Sequence, residues 1–256
     1  MILIEPTYRQ NNFHQAMEEK IRPWLSLIEE KNHPAINQKQ KELCQIGKLL
    51  VTYFNEFSIK ELRESPDFVI SNGDIEIGLE HQIVVESNVK AKEGFFENLC
   101  KHVETEIATT TTLGNFAINL YFNKGIEGQL KQKNEIISII KSVVVEKITN
   151  NHLLPNPYIN DAFVMKHNRI SVIANFGAFM QKHLGESEIL EAIKKKGKLI
   201  ETYKVNTVKT QWLVLVIGQV NESSFEFRTD FELTNDSKFD RVFVFEDFNN
   251  QLFELI

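Results

Sequence analysis

Carboxylates crowd into one short stretch of the 256-residue chain, Glu64 to Val84, and two of them, Asp67 and Glu80, sit where a hairpin would make them neighbours. Asn72-Gly73 is a strong signal for a two-residue turn, and strand-like Asp67-Phe-Val-Ile and Ile75-Glu-Ile-Gly-Leu flank it. With those two residues as the loop, Ser71 pairs with Asp74, Val69 with Glu76, Asp67 with Gly78 and Ser65 with Glu80. Side chains alternate faces along a strand. Ile75, Ile77, Leu79, His81 and Ile83 therefore share one face, and Glu76, Gly78, Glu80 and Gln82 share the other. Asp67 and Glu80 become diagonal neighbours about 7–8 Å apart at Cα, near enough to converge on one small cation. Gly78, opposite Asp67, leaves it space. Two carboxylates at that separation suit Mg²⁺ or Mn²⁺, which take oxygen ligands and retain several waters. The same alternation also describes a half-solvated antiparallel strand without any chemistry.

Pro66-Asp67, followed across a hairpin by Glu80-His81-Gln82, resembles the signature of the PD-(D/E)XK nuclease superfamily, the restriction-endonuclease-like group. The resemblance implies a metal-dependent nuclease hydrolysing phosphodiester bonds, of DNA more than of RNA, with Asp67 and Glu80 as metal ligands. The third motif position is usually a lysine that helps activate water, and here it is Gln82. Some members accept glutamine there or supply the lysine from the following helix, so Lys90, Lys92 and Lys101 become candidates for that cation. The family often adds a carboxylate from its first helix, which brings in Glu42 and Glu64, although both read as surface charges. The alternative is a catalytically degenerate nuclease-fold module that binds nucleic acid or a protein partner.

The composition, 42% hydrophobic and 25% charged, is that of an ordinary globular protein. The net charge of −6 argues mildly against a polyanionic partner. From Asn221 to Ile256, however, nine acidic residues face three basic ones, so the acidity belongs to the end of the chain. No window is apolar enough to span a membrane and no secretory leader is evident, which points to a cytoplasmic protein of unspecified oligomeric state. Cys44 and Cys100 lie on separate expected helices and imply neither a disulfide nor a zinc site. No HExxH, nucleophile elbow, phosphate-binding P-loop or dinucleotide fingerprint occurs, which excludes the commonest rival enzyme classes.

Positioning these residues requires a scaffold, and apolar periodicity outlines an α/β one. Helices are expected over 9–30, interrupted at Pro23, and over 37–57, with a loop at His33-Pro34 between them. Ser58-Ile-Lys-Glu61 has the form of a capping box, predicting a helical turn there. After the hairpin, Phe96, Leu99, Val103 and Ile107 mark a helix, Thr109 to Thr112 its fraying end, and Phe116–Phe122 a strand. Strand, helix and strand make a crossover unit, so Phe116–Phe122 is expected to lie parallel to the Glu80 strand. This order is that of a restriction-endonuclease-like core, less a strand before Asp67. Beyond Gly128 follow a long helix to Asn150, punctuation at Pro155-Asn-Pro157, a hairpin of 162–165 with 170–174, and a last helix over 189–203. Strands at 211–217, 225–231, 239–245 and 251–255 close the chain. The expected division is an N-terminal helical segment 1–36, a nuclease-like core 37–125 and a packed α/β extension 126–256. Lys194 and Lys198, one helical turn apart, are candidates for gripping phosphate, although Glu186, Glu188 and Glu191 favour a plain solvated face. His81 is expected among apolar neighbours, packed rather than catalytic.

Overall fold

The computed structural model describes residues 1–7, 12–30, 36–110, 113–123, 125–126, 130–177, 180–206, 209–228, 233 and 237–255. The loop expected at His33-Pro34 lies outside these, as do Thr111, Thr112, Gly128 and residues 229–231 of the strand expected over 225–231. The chain divides into two compact units, one made of Met1–Val85 with Lys182–Ile256 and the other of Glu86–Gln181. The breaks fall at 85/86 and 181/182; the expected division is at 36/37 and 125/126, with Pro155-Asn-Pro157 as the boundary that local punctuation favours.

The first unit opens with β1 (Ile2–Ile4), α1 (Phe13–Glu30), α2 (Ile36–Tyr53), β2 (Ser58–Leu62), β3 (Phe68–Ser71) and β4 (Glu76–Ile83). The second holds α3 (Ser87–Thr110), β5 (Phe116–Phe122), α4 (Lys133–Asn150), β6 (Ile159–Lys166) and β7 (Ser171–Asn175). The first then resumes with β8 (Lys182–His183), α5 (Glu186–Gly197), α6 (Ile200–Asn206), β9 (Gln211–Ile217), β10 (Phe225–Glu226), β11 (Arg241–Glu246) and β12 (Gln251–Leu255).

Seven strands form one mixed sheet in the order β1-β12-β11-β9-β4-β3-β2, with β4, β9 and β11 mutually parallel. Alternation along the parallel strands builds two cores. Ile77, Leu79, Trp212, Val214, Phe243 and Phe245 pack with α1 and α2, while Leu213, Leu215, Val242 and Val244 pack with Ile189, Ile193, Ile200 and Tyr203 of α5 and α6. Helix layers on both faces explain why β9 is buried at every position. Helix α1 continues through Pro23 because its apolar stripe is held against α2. Gly47 permits that approach, since a Cβ there would lie 3.9 Å from Met17 Cγ and collide with Ile21 Cγ2.

Three expectations are corrected here. The capping-box stretch at Ser58 is strand β2, antiparallel to β3, because Ile59 is buried opposite Ile70 and the helical alternative would leave the β3 edge unpaired. The strand parallel to β4 is β9, not Phe116–Phe122; β5 has half-exposed Asn119 and Tyr121 on one face, which suits a sheet covered on one side only. The helix expected over 189–203 is broken into α5 and α6 at Lys198-Leu199. The chain therefore runs α2, antiparallel β2-β3-β4, then, beyond the second unit, α5 and α6, then β9 beside β4.

In the second unit β6 and β7 flank β5, antiparallel and parallel respectively, instead of pairing with each other as a hairpin. Phe96, Val103, Ile107, Ile118, Leu120, Ile136 and Ile140 form its core.

Candidate functional site

The β3–β4 hairpin is longer at its turn than two residues allow. Asn72 Oδ1 accepts the N–H groups of Asp74 and Ile75, at 3.1 and 3.0 Å, and Gly73 supplies a φ of +97°. Ser71 consequently pairs with Glu76, Val69 with Gly78 and Phe68 with Leu79, a register two residues off the expected one. A shift of two preserves the faces. It also moves Asp67, one residue before β3, from diagonal to directly opposite Glu80. The Asp67 N–H donates to Glu80 Oε2 at 3.3 Å, and Asp67 Oδ2 accepts the His81 N–H at 3.0 Å.

Two lysines close the arrangement, and neither was singled out by spacing. Lys196 on α5 donates to Glu80 Oε1. Lys39 on α2 lies 3.4 Å from Asp67 Oδ1, 3.6 Å from Glu42 Oε2 and 3.8 Å from Glu64 Oε1. Burial alone would lower the Lys39 ammonium, but Asp67, Glu42 and Glu64 outweigh it and hold its pKa above the ordinary value. Burial first, and then the Asp67 charge, raise the Glu80 carboxyl above the usual carboxylate range, with Lys196 and Tyr203 of α6 pulling back. Burial and the same carboxylates raise the Tyr203 phenol, which stays a neutral donor toward Glu80.

His81 faces α2, on the opposite side of β4 from Glu80, and its Nε2 meets Gln45 Oε1 at 2.9 Å. Burial, reinforced by Lys196, Lys39 and Lys41, lowers its pKa to about 3, so it is a neutral packed imidazole. Gln45 in turn donates to Asp247 Oδ2 at 3.1 Å, and Lys48 lies 3.2 Å from Asp247 Oδ1. Gly78 is not an ion cavity: a Cβ there would stand 2.6 Å from Gln211 Nε2, so the missing side chain admits Gln211 from β9.

The remaining candidates separate clearly. Glu42 is buried rather than on the surface and accepts from Gln38 Nε2 at 2.8 Å, while Glu64 is exposed. The Gln82 amide donates to the Ile83 carbonyl at 2.6 Å, a local bond that turns it to its own backbone. Lys194 and Lys198 are exposed. In the second unit Lys90 lies 3.3 Å from Glu93, Lys92 stands over the Phe176 ring and Lys101 pairs with Glu104. The signal for Lys196 was present in the sequence: Ile189, Ile193 and Lys196 follow i, i+4, i+7, placing the ammonium on the buried face of α5.

Beside Asp67 opens a pocket of about 230 Å³ with Leu27, Ile28, Leu62 and Phe68 as its apolar floor and Lys39, Arg63, Glu64 and Asp67 as its polar rim. Among the described residues no group of three or more His, Cys, Asp or Glu side chains is arranged to hold a metal ion. Asp67 and Glu80 nonetheless fit Mg²⁺, which takes one or two carboxylates and fills its shell with water and substrate phosphate. The charge also fits. Four carboxyl groups stand around two ammonium groups, so the acidic groups outnumber the lysines beside them.

No helix of the described residues is long and apolar enough to cross a membrane. No family model, curated protein or solved structure matches the chain.

Proposed function

We propose that this chain is a metal-dependent nuclease of the PD-(D/E)XK type, hydrolysing phosphodiester bonds of DNA. The observation that carries the reading is the meeting of Asp67, Glu80 and Lys196: a cation in place of the one missing at Gln82 is offered by α5. The order α2, antiparallel β2-β3-β4, α5 with α6, and β9 parallel to β4 supports the same assignment, as does the buried Glu42 on the first helix of that order.

Asp67 and Glu80 would hold Mg²⁺ or Mn²⁺, which when bound would polarise a phosphate and lower the pKa of a coordinated water. Lys196 offsets part of the penalty that burial and Asp67 place on the Glu80 carboxylate. With a divalent cation at the carboxylates, the Lys196 ammonium would stand beside them to offset negative charge developing on a phosphate. Lys39 offsets the charge of Asp67, Glu42 and Glu64. The neutral His81 fixes Asp67 through its backbone N–H and takes no part in proton transfer. Gln82 anchors the strand end.

A second reading, a catalytically degenerate module of this fold that binds nucleic acid or a protein partner, draws on a separate observation. Each oxygen of Asp67 and Glu80 already meets a protein cation or N–H group. Calorimetric titration of Mn²⁺ separates the two. The nuclease reading expects binding that is lost in Asp67→Asn, and unchanged affinity in that variant removes the ligand role of Asp67.

A further inference from the structure

We infer that the pocket beside Asp67 receives one unpaired base of the strand being cut, which makes single-stranded DNA the preferred substrate of this chain. This rests on the nuclease reading and adds to it the form of DNA that is cut. The pocket, of about 230 Å³, lies between α1, α2, the end of β2 and the segment that leads into β3. Its apolar floor begins one residue from the candidate ligand, because Phe68 follows Asp67 in the chain, and Leu27, Ile28 and Leu62 complete it. Ile28 and Phe68 are buried, while Leu27 and Leu62 are half-buried. Whatever fills this space lies beside the Asp67 carboxylate. For a phosphodiester bond at that carboxylate, the adjoining parts of the strand are a sugar, a base and the next phosphate.

The lining decides among these. Lys39 and Arg63 on the rim face Glu64 and Asp67, two cations against two acids. They are also engaged: Arg63 Nε donates to Glu61 at 2.6 Å, and the Lys39 ammonium lies among Asp67, Glu42 and Glu64. The rim therefore holds no surplus that would draw in a second phosphate, and four apolar side chains beneath it would strip that phosphate of water without return. A base is the flat, uncharged part of a nucleotide. Apolar side chains take its faces, and a few polar groups at the rim meet its edge. The size agrees. Sites for drug-sized ligands run to about 300–1,000 Å³, so this smaller space suits one base and not a base pair. A duplex reaches it only by extruding a nucleotide, which costs the lost pairing and stacking.

The test is to map cleavage along end-labelled single-stranded DNA carrying one abasic position, with the full chain and Mn²⁺, beside a duplex of the same sequence. The wild type is expected to cut next to the abasic position about tenfold more slowly than elsewhere. It is expected to cut the duplex about a hundredfold more slowly than the single strand. Leu27→Trp fills the pocket from a half-buried position on α1. That variant is expected to cut intact positions about tenfold more slowly and to lose the contrast at the abasic position, with Mn²⁺ affinity and thermal unfolding unchanged. Leu27→Met, which leaves the space open, is expected to keep both the rate and the contrast. Uniform cutting through the abasic position, or equal cutting of duplex and single strand, overturns the base pocket and leaves the nuclease reading standing. A wild type that cuts neither form removes the nuclease reading and the base pocket with it.

Discussion

Replacing Lys196 by methionine isolates the least exposed charge pair of the site. The Glu80 side chain is 3% exposed and that of Lys196 18%, so the variant leaves a carboxylate buried beside Asp67 without its cation. Breaking a buried pair by removing one partner costs about 3–5 kcal/mol, and the residual exposure of Lys196 places this case near 3 kcal/mol. In a unit of this size that is a fall of about 6–12 °C in the unfolding midpoint. The loss depends on pH. The folded pKa of Glu80 lies above its unfolded value, so the folded state holds the proton more tightly and the carboxyl favours folding at acid pH. That contribution is lost as pH rises through the raised pKa, and removing Lys196 raises it further. The deficit of Lys196→Met is therefore expected to grow from pH 5 to pH 8, and Glu80→Gln in the same chain to recover most of it. Both tryptophans, Trp24 and Trp212, lie in the first unit, so their fluorescence reports its unfolding selectively. A deficit under about 0.5 kcal/mol, the size of a surface pair, or one that is flat with pH refutes the reasoning.

Lys39→Gln leaves Asp67, Glu42 and Glu64 without their shared ammonium, so Mn²⁺ affinity by calorimetry is expected to rise severalfold; weaker binding would show that Lys39 organises the ligands instead of standing in for the ion. His81 has a depressed folded pKa, so its contribution is intact above about 6.5 and is lost as pH falls toward 3, about 2–3 kcal/mol by pH 4.5. Denaturant titrations should show that slope flattened in His81→Leu, and an unchanged slope would mean that His81 is not the group refusing the proton. Gly78→Ala drives a Cβ into the fully buried Gln211 amide and is expected to cost about 1–3 kcal/mol, partly recovered by Gln211→Ala; no recovery would place the strain elsewhere.

The closeness of Asp67 to Glu80 was legible because strand periodicity survives an error of two residues in register. The register itself was not, since the lengthened turn depends on the Asn72 side chain binding two N–H groups, which the dipeptide Asn72-Gly73 does not announce. Ser58 to Glu61 shows local preference losing to tertiary demand: its capping pattern is real, yet the β3 edge and a buried Ile59 draw it into the sheet. The partner of β4 was hidden by the intervening unit, because nothing in Phe116–Phe122 itself records that residues 86–181 pack on their own. Lys39 and Lys196 reach the carboxylates from 28 and 116 residues away. A charged side chain reveals its partner only when the apolar face beside it is read together with it, as Ile189 and Ile193 are with Lys196.

The most direct test is cleavage of single- and double-stranded DNA by the purified chain with Mg²⁺ or Mn²⁺, beside Asp67→Asn and Glu80→Ala. Metal-dependent cleavage that disappears in both variants is the predicted result. Cleavage that persists in either one, or a wild type that neither cleaves DNA nor binds Mn²⁺, contradicts the account.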